Sequence, residues 1–158
     1  MKIVSMKIKN FRGYGEEVEI KFDDLTVFVG KNDVGKSTIL EALDIFFNDG
    51  KGVVKIEKND VNVEEMQKGN SETVISVCFE ELPNEIVIDS TVKTTLKEEY
   101  LLNSNGYLEI VKKYNNGGST KVFVRANHPT NIKCDNLLLA KNSDLKKIVK
   151  QEDIECEN

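Results

Sequence analysis

The sequence has no tryptophan, one histidine and only three cysteines, and these shortages exclude several kinds of site. Cys78, Cys134 and Cys156 lie far apart and form no Cys-x-x-Cys pair. With His128 as the single imidazole, the usual ligand spacing of a zinc site cannot be built, and three isolated thiols do not predict a disulfide framework. We therefore expect structural thiols and no metal bound by cysteine or histidine.

Arginine and long apolar runs are also scarce. Arg12 and Arg125 are the only arginines, and the formal net charge is −5. This balance argues against a generally basic nucleic-acid-binding surface but leaves room for a local basic patch. No run approaches the roughly 20 apolar residues that cross a bilayer, and the N-terminal segment lacks the apolar core of a signal peptide. The sequence therefore predicts a cytoplasmic domain without membrane contact.

The sequence does contain one glycine-rich motif with strong context. Gly-x-x-x-x-Gly-Lys-Ser, the Walker A pattern, runs from Gly30 to Ser37. The apolar, β-branched segment 25–29 predicts a strand buried on both faces of a parallel sheet, leading directly into the loop. After Lys36, apolar residues at intervals of three and four predict a helix with one buried stripe, which Gly50 and Gly52 would end.

Each residue type in this loop has a task in phosphate binding. Gly30 and Gly35 let the backbone curl and approach an anion, so that several N–H groups point inward. The N-terminal end of the following helix adds positive charge, Lys36 reaches the β- and γ-phosphates, and Ser37 supplies its hydroxyl to Mg²⁺. The sequence therefore predicts ATP and Mg²⁺ as ligands. The predicted loop residues are Gly30, Lys31, Asn32, Asp33, Val34, Gly35, Lys36, Ser37 and Thr38.

The rest of the chain is richer in strand patterns than in helix patterns. Period-two alternation predicts strands within 2–11, 17–22, 73–82, 106–114 and 120–126, with a tight turn at 115–119. Helical spacing favours a short helix over 90–101, capped by Ser90, and another over 143–153, capped by Ser143. The polar stretch 51–71 predicts no particular element.

These elements predict an α/β fold with additional antiparallel strands and few helices. We expect three segments: a P-loop segment over 1–50, a β-rich continuation over 51–142, and a C-terminal helix and tail over 143–158.

Residues 6–43, MKIKNFRGYGEEVEIKFDDLTVFVGKNDVGKSTILEAL, resemble the start of ABC-type ATPase heads in SMC, RecF-like and double-strand-break-repair proteins. Within that superfamily of AAA family ATPases, KNDVGKSTIL is most similar to the OLD group of ATP-dependent nucleases, although Lys31 stands where many relatives have proline. The resemblance implies an ABC-type P-loop fold. ATP would be held between two heads, as a homodimer in the full-length protein, and its binding would gate action on DNA in repair or phage defence.

The resemblance also suggests roles for three further residues. Asn32 would lie beside the γ-phosphate, and Asn10 and Arg12, in KNFRG, would lie at the edge of the nucleotide pocket. Two plainer alternatives stay open from the residues themselves. Arg12 also fits the role of a solvent-exposed arginine in a turn. Asn10 also fits a structural role, because asparagine is common at strand ends.

The hydrolytic parts that the resemblance implies are not evident in the sequence. They are an Asp and Glu after a second apolar strand, a Leu-Ser-Gly-Gly-like signature loop, and a later histidine. Asp89 follows an apolar run, but Ser90 stands where glutamate is required. The other candidates, which fit structural roles better, are Glu80 and Glu81, Gly117 and Gly118, and His128. No catalytic residue is assigned, and we expect the second half of the head to come from a longer chain or from a partner.

Three functions are compatible with these observations. The favoured one is the ATP-binding N-terminal lobe of an SMC/RecF/OLD-like ATPase that acts on DNA. The alternative is a non-hydrolysing, nucleotide-dependent protein-interaction module. A self-contained small kinase is the least favoured, because the β-rich second half lacks the repeated βα units of a kinase sheet and two arginines are few for a phosphate-clamping lid.

Overall fold

The computed structural model describes residues 1–31, 35–89, 92–118, 120–128 and 140–153. The predictions for Asn32, Asp33, Val34, Ser90, Cys134 and Cys156 lie outside these residues. The chain divides into two compact units, Met1–Asn127 and His128–Asn158. The predicted segments, 1–50, 51–142 and 143–158, divide the chain by sequence pattern and not by compactness, and they stay a prediction.

A five-stranded antiparallel sheet forms the first unit, in the order β2-β1-β3-β6-β7. A separate two-stranded hairpin pairs β4 with β5. The strands are β1 (Lys2–Lys9), β2 (Val18–Lys21), β3 (Glu72–Glu80), β4 (Ile86–Asp89), β5 (Val92–Thr94), β6 (Leu108–Asn115) and β7 (Thr120–Arg125). The helices are α1 (Lys36–Phe47), α2 (Val63–Gln67) and α3 (Asn142–Gln151), with a 3₁₀ turn at Lys58–Asp60. The predicted α/β fold with antiparallel strands and few helices is confirmed.

The core lies between one face of this sheet and α1. Alternate residues of the central strands are fully buried against the helix, as period-two alternation requires. The Tyr114 hydroxyl donates to the Ile45 carbonyl at 3.2 Å, and Lys112 Nζ donates to the Phe46 carbonyl at 2.7 Å. The end of the helix is closed by the Gly50 N–H, which donates to the Ile45 carbonyl at 2.9 Å. The sheet therefore holds α1 by its last turns, which leaves its first turn beside the glycine loop.

The predicted buried strand over 25–29 is wrong. These residues form no strand, and Leu25, Val27 and Val29 are 83%, 69% and 89% exposed. The residues between them, Thr26 and Phe28, are partly buried. The Phe28 ring lies 6.4 Å from the Phe22 ring, edge to face. A β-branched apolar run becomes a buried strand only where neighbours pair with it on each side, and the described residues supply none.

The predicted helix over 90–101 is also wrong. Residues 92–94 form β5, and a turn follows in which Thr95 and Glu98 bond each other's backbone N–H groups at 3.2 and 3.1 Å. β-branched residues favour the strand, and the side-chain bonds offer the backbone an alternative to helix. The last helix, α3, begins at Asn142, one residue before the predicted cap Ser143, and no side chain caps it.

The remaining elements agree with the sequence. The β1–β2 pair, β3, α1 and the β6–β7 hairpin are confirmed. The stretch 51–71 contains the 3₁₀ turn and α2, whose first N–H groups are capped by the Asn62 side chain. Among the described helices, none has the length and apolar character that a membrane span requires.

Candidate functional site

The first turn of α1 begins at Gly35, which adopts the left-handed conformation with φ 78°. An added Cβ there would lie 3.0 Å from the Tyr14 hydroxyl oxygen, so only glycine fits without displacement. Among the residues that the structure describes, no side chain caps this end, and the first turn carries no acidic residue. The first N–H groups and the positive end of the helix dipole are therefore open to an anion.

The side chain of Lys36 folds back over the loop. Its ammonium donates to the carbonyl oxygens of Gly30 and Lys31, at the start of the loop, while its backbone begins α1. One positive charge thus sits at the point where the loop and the helix N-terminus meet. A phosphate bound at this point would face that ammonium, which is what the predicted role of Lys36 requires.

A cleft of about 570 Å³ lies along this side of α1. Ser37 and Glu41 are four residues apart, so they share one face of the helix and border the cleft together. The lining residues are Thr26, Val27, Phe28, Lys36, Ser37, Leu40 and Glu41. The segment that was expected to be a strand therefore forms the wall opposite the helix.

The turn between β1 and β2 reaches the same site. Phe11 and Tyr14 exchange backbone hydrogen bonds, each of 2.9 Å, and this closes the turn. The Tyr14 hydroxyl lies 3.4 Å from the Gly35 carbonyl oxygen. The aromatic ring thus supports the residue at which the loop turns into the helix.

Arg12 occupies the middle of this turn and bridges two carboxylates. Its guanidinium donates to Glu41, which lines the cleft, and to Asp60 in the 3₁₀ turn at 2.8 Å. Partial burial opposes the charge, but the hydrogen bonds that Arg12 donates to Asp60 and Glu41 outweigh it and raise the pKa of Arg12. The guanidinium also lies over the Phe11 ring, 5.1 Å from its centroid. Arg12 is therefore held beside Glu41, which lines the cleft. Its contact with nucleotide stays a prediction.

Asn10 is fully buried, and its side-chain amide both donates and accepts hydrogen bonds. Its Nδ2 donates to the carbonyls of Asn70 and Glu72 at 3.0 and 3.1 Å, and its Oδ1 accepts from the Asn62 N–H at 3.1 Å. Asn62 in turn donates to the Arg12 carbonyl at 2.7 Å. Asn10 thus ties the segment that orients Arg12 to the sheet, and its direct part in nucleotide binding stays a prediction.

Glu80, Glu81, Gly117 and Gly118, which were considered for hydrolysis, do not line the cleft. Glu80 ends β3, 3.7 Å from Lys2, and Asp89 ends β4 in the separate hairpin. Glu81 and His128 are exposed, and Gly117 and Gly118 lie in the β6–β7 turn as predicted. Within the residues that the structure describes, no group of three histidine, cysteine or acidic side chains is placed to hold a metal ion.

Sequence reasoning missed two carboxylates and one phenol of this site. Glu41 follows Ser37 by four residues on a predicted helix, so its place on the cleft face was readable from the period alone. Asp60 and Tyr14 carried no such signal. Asp60 comes from the polar stretch that predicted no element, and its contact with Arg12 spans 48 residues.

A protein family and a curated relative are similar to this chain. The family described as "AAA ATPase domain" matches residues 1–158. A DNA double-strand break repair Rad50 ATPase of Methanosarcina mazei is 33% identical over 105 residues, which is 66% of this chain. The chain spans only 9% of the length of that relative.

Two solved structures are similar to this chain, and the first of them shares its fold. One comes from work on ATP-driven dimerization and DNA-stimulated activation of SMC ATPases. It has a TM-score of 0.51 and 14% identity, and the match covers 95% of this chain and 92% of that one. The SMC head domain from Thermotoga maritima has a TM-score of 0.47 and 17% identity over 84% of this chain and 40% of that one. The first of these supports an ABC-type head fold. Because the family model for the AAA ATPase domain matches residues 1–158, this chain belongs to that family.

Proposed function

We propose that the chain binds ATP with Mg²⁺ at residues 30–38 and acts as the N-terminal lobe of an ABC-type ATPase head. The observation that carries this proposal is the meeting of three features at one point: the uncapped start of α1, the left-handed Gly35 before it and the Lys36 ammonium. Each is suited to an anion, and together they match a triphosphate better than a single charge.

Binding would exchange the partners of Lys36. Its ammonium would release the loop carbonyls and bond to phosphate oxygens, which carry full charge and form stronger hydrogen bonds. The backbone N–H groups of the loop, Lys31 to Gly35, and those of Ser37 and Thr38 would cradle the phosphates. Mg²⁺ would supply charge neutralisation, with the Ser37 hydroxyl as its ligand from this lobe.

Arg12 would respond to the same event through Glu41. Its guanidinium is shared between Glu41 and Asp60, and Glu41 lies on the cleft face of α1 beside Ser37. A triphosphate in the cleft would compete with Glu41 for this guanidinium. Asn10 and Asn62 would keep the turn in place during the exchange.

We further propose that the complete protein acts on DNA through two ATP-bridged heads, in repair or in defence against phage. The Rad50 relative is named for double-strand break repair, and the solved relative for ATP-driven dimerization. Leu25, Val27, Val29 and Leu40 form an exposed apolar set next to the cleft, which suits a covering second lobe. Within this group, the OLD-like nucleases are the subgroup that we favour.

ATP binding by the 158-residue chain, measured by calorimetry with Mg²⁺ and then with EDTA, tests the proposal. Lys36→Ala should abolish binding, whereas Lys21→Ala, at an exposed lysine of the edge strand β2, should leave it unchanged. EDTA should weaken binding without abolishing it. Equal affinity in Lys36→Ala and wild type would refute the assignment of the loop.

A second candidate function is a nucleotide-dependent interaction module that does not hydrolyse ATP. Glu41 is the one carboxylate that lines the cleft among the described residues, and Arg12 holds it in an ion pair. A carboxylate held in this way is not free to activate water, which favours a module that does not hydrolyse ATP. Steady phosphate release by the isolated chain, lost in Lys36→Ala, would refute this alternative. Binding without turnover would support it for the chain alone.

A further inference from the structure

In the part of the chain that the structure describes, the outer strand β7 forms an open edge of the main sheet. Among the described residues it pairs with β6 alone, and it ends the strand order. Three consecutive apolar residues near its centre, Val122, Phe123 and Val124, are 57%, 47% and 43% exposed. Proteins normally protect such an edge, because its free N–H and C=O groups and its apolar side chains recruit another strand.

The apolar residues of β7 lie on both faces of the sheet. Val122 and Val124 are opposite Lys112 and Ile110, on the face that packs against α1. Phe123 is opposite Val111 on the other face, and the Lys113 ammonium lies 5.7 Å from its ring centroid. An added strand would therefore bury apolar surface on each face while pairing the backbone edge.

The charges of β7 select the kind of strand that fits. Lys121 and Arg125 flank Phe123 at two residues on either side, so all three lie on one face. Lys121 forms no ion pair with any residue that the structure describes, and Arg125 shares its charge with the buried Glu109 at 2.8 Å. The pattern is a cation, an apolar residue and a cation along one side of the strand.

This pattern disfavours a second copy of the chain. Antiparallel pairing of two β7 strands over their full apolar segment would place Phe123 opposite itself. Lys121 would then lie opposite Arg125 of the other copy, twice in the same interface. Like charges directly opposite each other destabilise strand pairing. A strand with carboxylates at those positions would instead gain two favourable pairs.

We propose that the β7 edge binds an extended acidic segment of a partner protein, with the pattern acidic–x–apolar–x–acidic, as a sixth strand of the sheet. The apolar residue packs beside Phe123, and the two carboxylates face Lys121 and Arg125. Main-chain hydrogen bonds supply affinity, and the alternate side chains supply specificity. No residue of β7 lines the cleft beside α1.

Single-stranded nucleic acid is the rival occupant of such a basic and aromatic surface. It is less suited to this edge, because the Lys113 ammonium already lies over the Phe123 ring, on which a base would stack. It would also leave Val122 and Val124, on the opposite face, exposed. The experiment below distinguishes the two occupants.

The first test is a titration of a fluorescein-labelled peptide, Glu-Val-Leu-Val-Glu with blocked ends, with the full chain. We expect saturable binding that Lys121→Glu weakens about fivefold, because one favourable cross-strand pair becomes repulsive. Lys21→Glu is the matched control, since it lies on the opposite edge strand β2. A peptide with lysine in place of both glutamates should bind more tightly to Lys121→Glu than to the wild type.

The second test asks whether the backbone edge is used. Alternate amides of a strand point to the same side, so two peptides N-methylated on alternate sets should differ. One set should lose binding and the other should keep it, and amide exchange in β7 should slow only with the binding peptide. Equal binding of both, or none at millimolar peptide, would overturn the proposal. So would displacement of the peptide by oligothymidine, or dimerisation of the free chain through β7.

Discussion

Gly117, in the β6–β7 turn, lies close to the backbone of Glu57, in the segment that holds Arg12. Replacing this glycine is the sharpest test of that close approach. Its φ is 68°, and a Cβ built on it would lie 2.2 Å from the carbonyl carbon of Glu57. That segment continues into Asp60, which bonds to Arg12 through both its backbone and its side chain. Gly117→Ala should therefore disturb both the turn and the position of Arg12.

The magnitude follows from two separate costs. A left-handed φ costs an alanine about 1–2 kcal/mol, and the stiffer unfolded chain returns about 0.4–1 kcal/mol of that. The backbone contact adds roughly 1–3 kcal/mol, because neither segment can yield by a side-chain rotation. We expect a total loss of about 2–4 kcal/mol in the free energy of unfolding.

Gly106→Ala is the matched control for this prediction. Gly106 has φ 80°, and an added Cβ would meet nothing within 4 Å. It therefore carries the conformational cost without the steric one, and should lose only about 1 kcal/mol. Urea denaturation of both variants, followed by circular dichroism, measures the difference. Equal losses in the two variants would refute the close approach of the turn to Glu57.

Three further predictions concern α1 and the residues around it. Gly35→Ala should weaken ATP binding more than tenfold in calorimetry, since its Cβ would meet the phenol of Tyr14 in the β1–β2 turn, whereas Gly13→Ala, with nothing within 4 Å, should not. Tyr114→Phe should lower the free energy of unfolding by about 1 kcal/mol in urea denaturation, because a buried hydrogen bond to α1 is lost. Lys112 lowers the pKa of Asp49 by a hydrogen bond and its charge, so this pair stabilises the fold fully above about pH 3.8 and loses its effect as pH falls through the lower folded pKa. Asp49→Asn should remove that part of the acid dependence of thermal unfolding.

Each of these has an outcome that would contradict it. Unchanged ATP affinity in Gly35→Ala would separate the loop from nucleotide binding. Tyr114→Phe with wild-type stability would mean that the phenol bond is matched by water in the unfolded chain. An Asp49→Asn variant that loses stability in parallel with the wild type between pH 5 and pH 2, values chosen to bracket an ordinary aspartate pKa, would remove the ion pair as a cause.

The sheet was predictable because its information is local. Alternation in β1, β3 and β6 fixes which side of each strand faces α1, and the turn residues at 115–119 fix one hairpin register. Segment 25–29 failed for the opposite reason. Its composition is that of a buried strand, but burial depends on neighbours that no local pattern reveals.

The sequence was sufficient to propose the loop of the candidate site, but not the residues that support it. The Walker A motif identified Lys36 and Ser37, which line the cleft, and the helical period was sufficient to place Glu41 on the same side of α1. Asp60 and Asn62 could not be found this way, because their contacts with Arg12 join positions about 50 residues apart. No period or spacing within one element encodes such a contact.

The attachment of α1 at one end gives the helix a gradient of local stability. Its last turns are bonded to Tyr114, Lys112 and Gly50, while its first turn has no side-chain cap. Amide hydrogens near Phe46 should therefore exchange only on global unfolding, and those after Gly35 through local fraying. A bound phosphate would close that fraying end, so ligand occupancy would be recorded as slowed exchange in one turn of a single helix.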